Sequence, residues 1–346
     1  MSEAQVIPIS GGRPRERARC RATTSAGRPC RNYAIDDSAY CRVHGGDARS
    51  RHPSAQAPSE VARAKLAEKP AGFLQWAEDF ARRRLAGDYP IDDFGYDPQL
   101  AREILLPLAR PFYERYFRVK TLGIERIPDE GAALLVANHS GTIPMDAVMM
   151  QYAVAMEHPR ERTVRNIAAN LAFRMPFIGP LARKTGNAVA CDEDAIELLR
   201  RGELVGVFPE GYKGVGKGWR ERYKLQRFGR GGFIEIALKT GVPIIPVSIV
   251  GAEEAYPMIA DARFIAKAFG FPYFPITPTF PLLGPLGALP LPSRWIIEFG
   301  EPIPMDDYPE DAAEDAMLVF DLSDRIRDRI QEMLYENLER RQGAFF

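Results

Sequence analysis

The chain is poor in cysteine, with four among 346 residues. Three of these crowd into one short window, so no disulfide framework spans the chain, and a reducing cytoplasm is the expected compartment. No Gly-x-Ser-x-Gly elbow is present, so a covalent acyl-enzyme is not expected. No Gly-Lys-Ser/Thr follows a glycine-rich turn, which argues against a P-loop. Met1–Ser10 lacks the basic start and apolar core of a signal peptide. The longest uncharged run, Ala268–Ser293, has 26 residues but seven prolines, too many for a membrane-spanning helix. Formal net charge is zero, so the overall charge names no partner. Its distribution is uneven, however: residues 11–51 carry ten arginines against four acids.

What is present divides by composition. Residues 1–19 are polar and rich in arginine and glycine, and disorder is expected there. Residues 20–44 hold Cys20, Cys30, Cys41 and His44 but too few apolar residues for a core. Three thiolates and one imidazole make a closed tetrahedral zinc site, so a structural zinc is expected. The text around them resembles a small Cys3His module appended to bacterial proteins. Its arginines would suit nucleic acid or anionic lipid. Residues 45–70 read as a linker, with His52 beside a proline. A helical pair is expected over 71–117. The first helix carries Phe73, Trp76, Ala77 and Phe80 on one side and an arginine cluster after them. That pattern suits either a lipid interface or packing on the chain's own domain.

Residues 118–310 alternate apolar strand-like runs with amphipathic segments. Strands are expected at 118–122, 132–137, 164–169, 187–190, 204–208, 244–250 and 294–299. Helices are expected near 145–157, 171–183, 192–201 and 231–240. This alternation predicts an α/β fold, a mostly parallel sheet flanked by helices. Residues 264–292 are proline-rich and apolar, and no helix is expected in them. They would line an acyl pocket, dip into a bilayer or cross the core irregularly. A long helix is expected over 311–341, where Leu318, Leu322, Ile326, Ile330, Leu334 and Leu338 recur every fourth residue. His158, at a helix end before Pro159, reads as a surface residue.

Two strand ends carry polar chemistry. Leu134–Ala137 runs into Asn138-His139-Ser140-Gly141, with Pro144 and Asp146 opening the next helix. Leu204–Phe208 runs into Pro209-Glu210-Gly211. A histidine held by a carboxylate can take a proton from a hydroxyl. Residues 212–230 hold seven basic residues against one acid, with glycines interleaved. Such a loop suits phosphate, and Lys213, Lys217 and Arg220 are its candidate ligands.

Strand-end His, strand-end Glu and the Pro243-x-x-Pro246 strand, in that order, resemble the glycerolipid (lysophospholipid) acyltransferase family over residues 100–300. The resemblance implies transfer of an acyl group from acyl-CoA, or from an acyl carrier protein, to a lipid hydroxyl. It implies His139 as general base oriented by Asp146, with no catalytic cofactor. It places the acceptor near Glu210 and Gly211. Asn138 and Ser140 are candidate contacts for the oxyanion or carbonyl. It also implies a peripheral position on the inner membrane face, with the helical pair at the membrane.

Two departures stand out. The family spacing is usually Asn-His-x4-Asp, whereas here it is His139-x6-Asp146. The usual Gly-x-x-Phe-x-x-Arg block, aligned on Gly186, ends in Asp192 where relatives have a phosphate-binding arginine. An acid repels phosphate, so a neutral acceptor such as a mono- or diacylglycerol or a fatty alcohol is expected. The rival expectation is a non-catalytic lipid- or nucleic-acid-tethering protein whose longer His-to-Asp interval no longer works. A hydrolase, with water replacing the alcohol, is the third.

Overall fold

The structure is a computed structural model that describes residues 72–175, 178–309 and 311–345. The basic tail, the Cys20/Cys30/Cys41/His44 module and most of the linker, His52 included, lie outside the described residues.

Helix α1 (Phe73–Ala86) ends at Gly87 in a left-handed cap. Its aromatic side packs on the domain: the Trp76 indole donates to Glu103 at 2.8 Å, and the Trp76 and Phe80 rings lie 5.7 Å apart. Leu74 and Leu85 point outward. The second helical stretch, α2 (98–116), alternates α turns (Pro98–Leu100, Leu106–Pro111) with π turns (Ala101–Leu105, Phe112–Tyr116). Pro107 has no N–H and crowds the carbonyl of Glu103, which lies in the first widened turn.

The α/β part then runs β1 (Lys120–Leu122), β2 (Ala133–Ala137), α3 (Met145–Glu157), β3 (Val164–Ala168), α4 (Asn170–Arg174), α5 (Ile178–Lys184), β4 (Ala188–Val189), α6 (Asp192–Arg200) and β5 (Leu204–Val207). It continues with α7 (Tyr212–Val215), α8 (Gly232–Thr240), β6 (Ile244–Val250), α9 (Ala252–Ala255), β7 (Ala260–Asp261), α10 (Arg263–Phe269), β8 (Pro275–Ile276), β9 (Ile296–Phe299) and α11 (Ala316–Arg340). Where one helix was expected at 171–183 there are two. Met175 precedes a proline, and its extended backbone ends α4. Residues 263–269 are helical, contrary to the expectation for the proline-rich run, because the first proline falls only at Pro272.

Seven strands form one sheet in the order β1-β9-β6-β2-β5-β3-β4. All pairs are parallel except β6 with β9. Helices cover both faces, so the central strands are apolar on both sides. Along β2, Leu134 and Val136 enter the core beneath α6, α8 and α11. Ala133, Leu135 and Ala137 enter the opposite core, with Met149, Ala153 and Tyr113. This two-residue period puts β2 at the middle of the sheet, fourth of seven. Whatever follows Ala137 therefore emerges at the centre of the strands' C-terminal edge, between the ends of β5 and β6. Ligands of open α/β sheets collect at that edge.

Candidate active site

The first residue past β2 extends the sheet with its side chain. Asn138 is buried; its amide nitrogen donates to the Ile249 carbonyl at 3.0 Å, and its amide oxygen accepts from the Ile249 N–H at 2.7 Å. A side chain spent on the β6 backbone is not free to meet a substrate carbonyl, which corrects that expectation for Asn138. It fixes the angle at which the chain leaves the sheet.

His139 comes next. Its Nδ1 lies 2.7 Å from Asp146 Oδ2, and Asp146 is fully buried at the start of α3. The same carboxylate accepts the Ser140 N–H at 2.8 Å through Oδ2 and the Ala147 N–H at 2.8 Å through Oδ1. The six-residue interval therefore closes on itself. Gly141, at φ 80, makes the bend, and a side chain there would meet the Ala252 carbonyl at 2.9 Å. Ser140 is buried inside this turn, so it supports the turn and is not exposed to a ligand. A carboxylate only accepts, so Nδ1 carries its hydrogen toward Asp146 and the lone pair falls on Nε2. Among the described residues Nε2 has no hydrogen-bond partner. The Phe208 ring packs 4.6 Å from the imidazole, centroid to centroid.

Glu210 lies beneath the histidine. Its side chain is wholly buried, and Oε1 accepts the His139 N–H at 2.9 Å while Oε2 accepts the Gln226 N–H at 2.7 Å. The Lys217 ammonium lies 3.2 Å from Glu210 Oε2 and 3.1 Å from Glu253 Oε1. The structure corrects two expectations, Glu210 as acceptor ligand and Lys217 as phosphate ligand, in the same way: each group is already paired with an opposite charge inside the fold. Lys213 and Arg220 are exposed. Gly211 is exposed too, at φ 53, with open space where a side chain would stand. Gly214 explains the loop's closeness to the histidine, since a Cβ there would lie 2.6 Å from the His139 carbonyl.

The ionic system extends further. Glu253 Oε2 accepts the Tyr223 N–H at 2.9 Å. The Tyr223 hydroxyl donates to Glu254, whose other oxygen accepts from Arg341 at 2.7 Å. Gln331 of α11 clamps the same loop, accepting from Leu225 N–H and donating to the Tyr223 carbonyl. Three carboxylates thus face two cations. Burial pushes the Glu253 carboxyl up to about 7, against the pull of Lys217. Burial alone would lower Lys217, but Glu253 and Glu210 outweigh it and hold the ammonium above the ordinary lysine value. Burial likewise lifts Tyr273 to about 12; its hydroxyl donates to the Thr142 carbonyl at 2.7 Å and braces the turn that follows β2.

Glu253, Tyr273 and Arg341 escaped sequence reasoning. For Glu253 a signal existed: Val250-Gly251-Ala252-Glu253-Glu254 is a third apolar strand ending in acidic residues. Two hollows adjoin the site. A small one is lined by Thr142, Lys217, Trp219, Glu253, Tyr256 and Met258. A larger, open groove runs along Ile167, Ala190, Val207, Phe208, Pro209 and Phe233, so Phe208 stands between it and His139. Among the described residues no group of His, Cys, Asp and Glu could hold a metal ion, and no helix is long and apolar enough to cross a membrane.

The family model described as Acyltransferase matches residues 118–250, and the chain belongs to the acyltransferase family and is an acyltransferase. An uncharacterised protein of Mycobacterium tuberculosis is 52% identical over 283 residues, covering 82% of this chain and 77% of its own. The mouse "DGAT1/2-independent enzyme synthesizing storage lipids" is 27% identical over 231 residues, covering 64% and 65%. The crystal structure of the 1-acyl-sn-glycerophosphate acyltransferase PlsC from Thermotoga maritima aligns with a TM-score of 0.44 and 22% identity, over 71% of this chain and 85% of that one.

Proposed function

We propose that the chain transfers a fatty acyl group from coenzyme A to the hydroxyl of a neutral glycerolipid or a fatty alcohol, with His139 as general base. The observation that carries this reading is the 2.7 Å contact between His139 Nδ1 and the buried Asp146 carboxylate. Asp146 fixes the tautomer and stabilises the imidazolium. Nε2 takes the proton as the acceptor oxygen attacks the thioester carbonyl; the tetrahedral intermediate then collapses and the departing thiolate receives that proton. The His139 amide is spent on Glu210 and the Ser140 amide on Asp146. Among the described residues the Gly141 and Thr142 amides have no acceptor, and we assign the oxyanion to them. The apolar groove beside Phe208 suits the acyl chain, and Lys213 and Arg220 suit the phosphates of coenzyme A.

Support for a neutral acceptor comes from Asp192. It lies exposed in the first turn of α6 with Glu193 and Asp194, favourable to the helix dipole and unfavourable to a phosphate. The mouse relative's name, a storage-lipid enzyme, agrees with it.

The test is thiol release from a long-chain acyl-CoA, with diacylglycerol, a fatty alcohol or lysophosphatidate offered in parallel. Turnover with a neutral acceptor is expected, and His139→Ala should lower it by about 10² to 10⁴. Turnover with lysophosphatidate alone would overturn the neutral acceptor. Turnover indifferent to His139 would overturn the mechanism.

A further inference from the structure

The link from β6 to β9 departs from the strands' C-terminal edge, where His139 emerges, and it is long: residues 251–295. It is built as a small lobe. The β7–β8 pair joins Ala260 to Ile276, and a further bond runs from Ile259 N–H to the Ile276 carbonyl. Its inner side is tied to the catalytic loops: Tyr273 donates to the Thr142 carbonyl, and Trp219 N–H donates to the Met258 carbonyl at 2.8 Å. Tyr256, Met258 and Ala266 are buried on that side.

Its outer side is different. Ile259, Phe264, Phe271, Leu282, Leu283, Leu286 and Leu289 are all exposed, Leu282 to 85% and Phe264 to 78%. These are seven of the twenty large apolar side chains exposed among the described residues, gathered in about a ninth of them. Water-facing apolar groups at that density mark an interaction surface. No charged residue lies between Lys267 and Arg294. The cations stand at the margin: Arg263, paired with Asp261 at 3.3 Å, and Lys267 are exposed beside Phe264 on α10, and the neighbouring loop exposes Lys213, Arg220, Arg222 and Lys224 against one acid, Glu221, which pairs with Lys224.

We infer that this lobe is the membrane-docking element of the enzyme, and that its partner is an anionic phospholipid surface. The inference rests on the lipid-acceptor reading above and names where the lipid surface meets the chain. Leucines at the lobe's tip enter the boundary between headgroups and acyl chains. The flanking cations meet lipid phosphates.

The test is co-sedimentation of the full chain with vesicles of equimolar phosphatidylcholine and phosphatidylglycerol, and separately with phosphatidylcholine alone. Wild type should bind the anionic vesicles about tenfold more tightly than the neutral ones. The triple variant L282E/L283E/L286E should lose about tenfold or more of that binding, yet keep its turnover on detergent-dispersed substrates. Because three glutamates alter the lobe together, the pair R263E/K267E serves as a second reading; both side chains are exposed, and the same loss on anionic vesicles is expected. His139→Ala should bind vesicles as wild type does, so binding is scored independently of turnover. Binding without lipid-acceptor turnover would sink the proposed function and leave the lobe's role standing. Three results would overturn the inference: wild type ignoring anionic vesicles, equal binding to neutral ones, or both variants binding as wild type. A dimer that the triple variant dissolves, without vesicle binding, would instead make the lobe a self-contact and overturn it too.

Discussion

Two histidines bracket helix α3, one at each edge of the sheet, and they have opposite fates. His139 precedes the helix at the C-terminal edge; one ring nitrogen faces a buried carboxylate and the ring keeps 16% of its side-chain exposure. His158 follows the helix at the other edge and is buried, contrary to its sequence reading as a surface residue. Its Nε2 donates to the Ile127 carbonyl at 3.2 Å and its Nδ1 accepts from the Arg160 N–H at 3.2 Å. Both nitrogens are consumed, and burial holds the ring below the ordinary histidine pKa. A histidine becomes a base when one nitrogen is fixed and the other is left open. It becomes a structural bridge when both are fixed.

That contrast is open to direct tests. The largest effect is expected at Asp146. Asp146→Asn removes the acceptor that selects the Nδ1–H tautomer, and kcat should fall by about a thousandfold or more, while His158→Gln leaves kcat unchanged. A comparable loss from both would erase the distinction. Next comes Lys217→Met, which leaves Glu210 and Glu253 facing each other inside the fold. Urea denaturation should show a loss of about 3–5 kcal/mol of stability, the cost of breaking a buried ion pair. Turnover should drop with it, because Glu210 holds the His139 amide; an unchanged stability would show that the ammonium is dispensable. The smallest effect is acid sensitivity at His158. The unfolded chain takes up that proton near pH 6.5, whereas the folded ring takes it up only at lower pH. The stability it contributes is therefore full above about pH 6.5 and is lost as pH falls through the folded value. Denaturation curves of His158→Gln should be flatter over that acid range, and an identical slope would count against the buried bridge.

Much of this architecture is legible in the sequence. Strands buried on both faces write themselves as short, unbroken apolar runs, and β6 falls on the expected residues 244–250. The pairing of His139 with Asp146 was legible because both sit where such a run stops. What stayed hidden depended on distant partners. Asn138 bonds a residue 111 positions away, and its amide reads in sequence as a free polar group. Lys217 lies among glycines and other cations, a context that looks solvent-facing, yet its side chain is 4% exposed because Glu253 and Glu210 close over it. Charge is visible in a sequence, but its burial is not. His158 misled for the same reason: the proline beside it suggested an exposed helix end, and the carbonyl it bridges belongs to Ile127.

The chain of contacts from Arg341 through Glu254, Tyr223, Glu253, Lys217 and Glu210 to the His139 amide joins the far end of α11 to the reacting edge. Shortening the protein past Arg341 would leave the Glu254 carboxylate without its counter-charge beside a tyrosine that holds the whole relay. A truncation series would then report as essential a residue linked to His139 through this relay. The residue that caps the long helix works as a keystone: its importance is measured by what loosens when it is taken out.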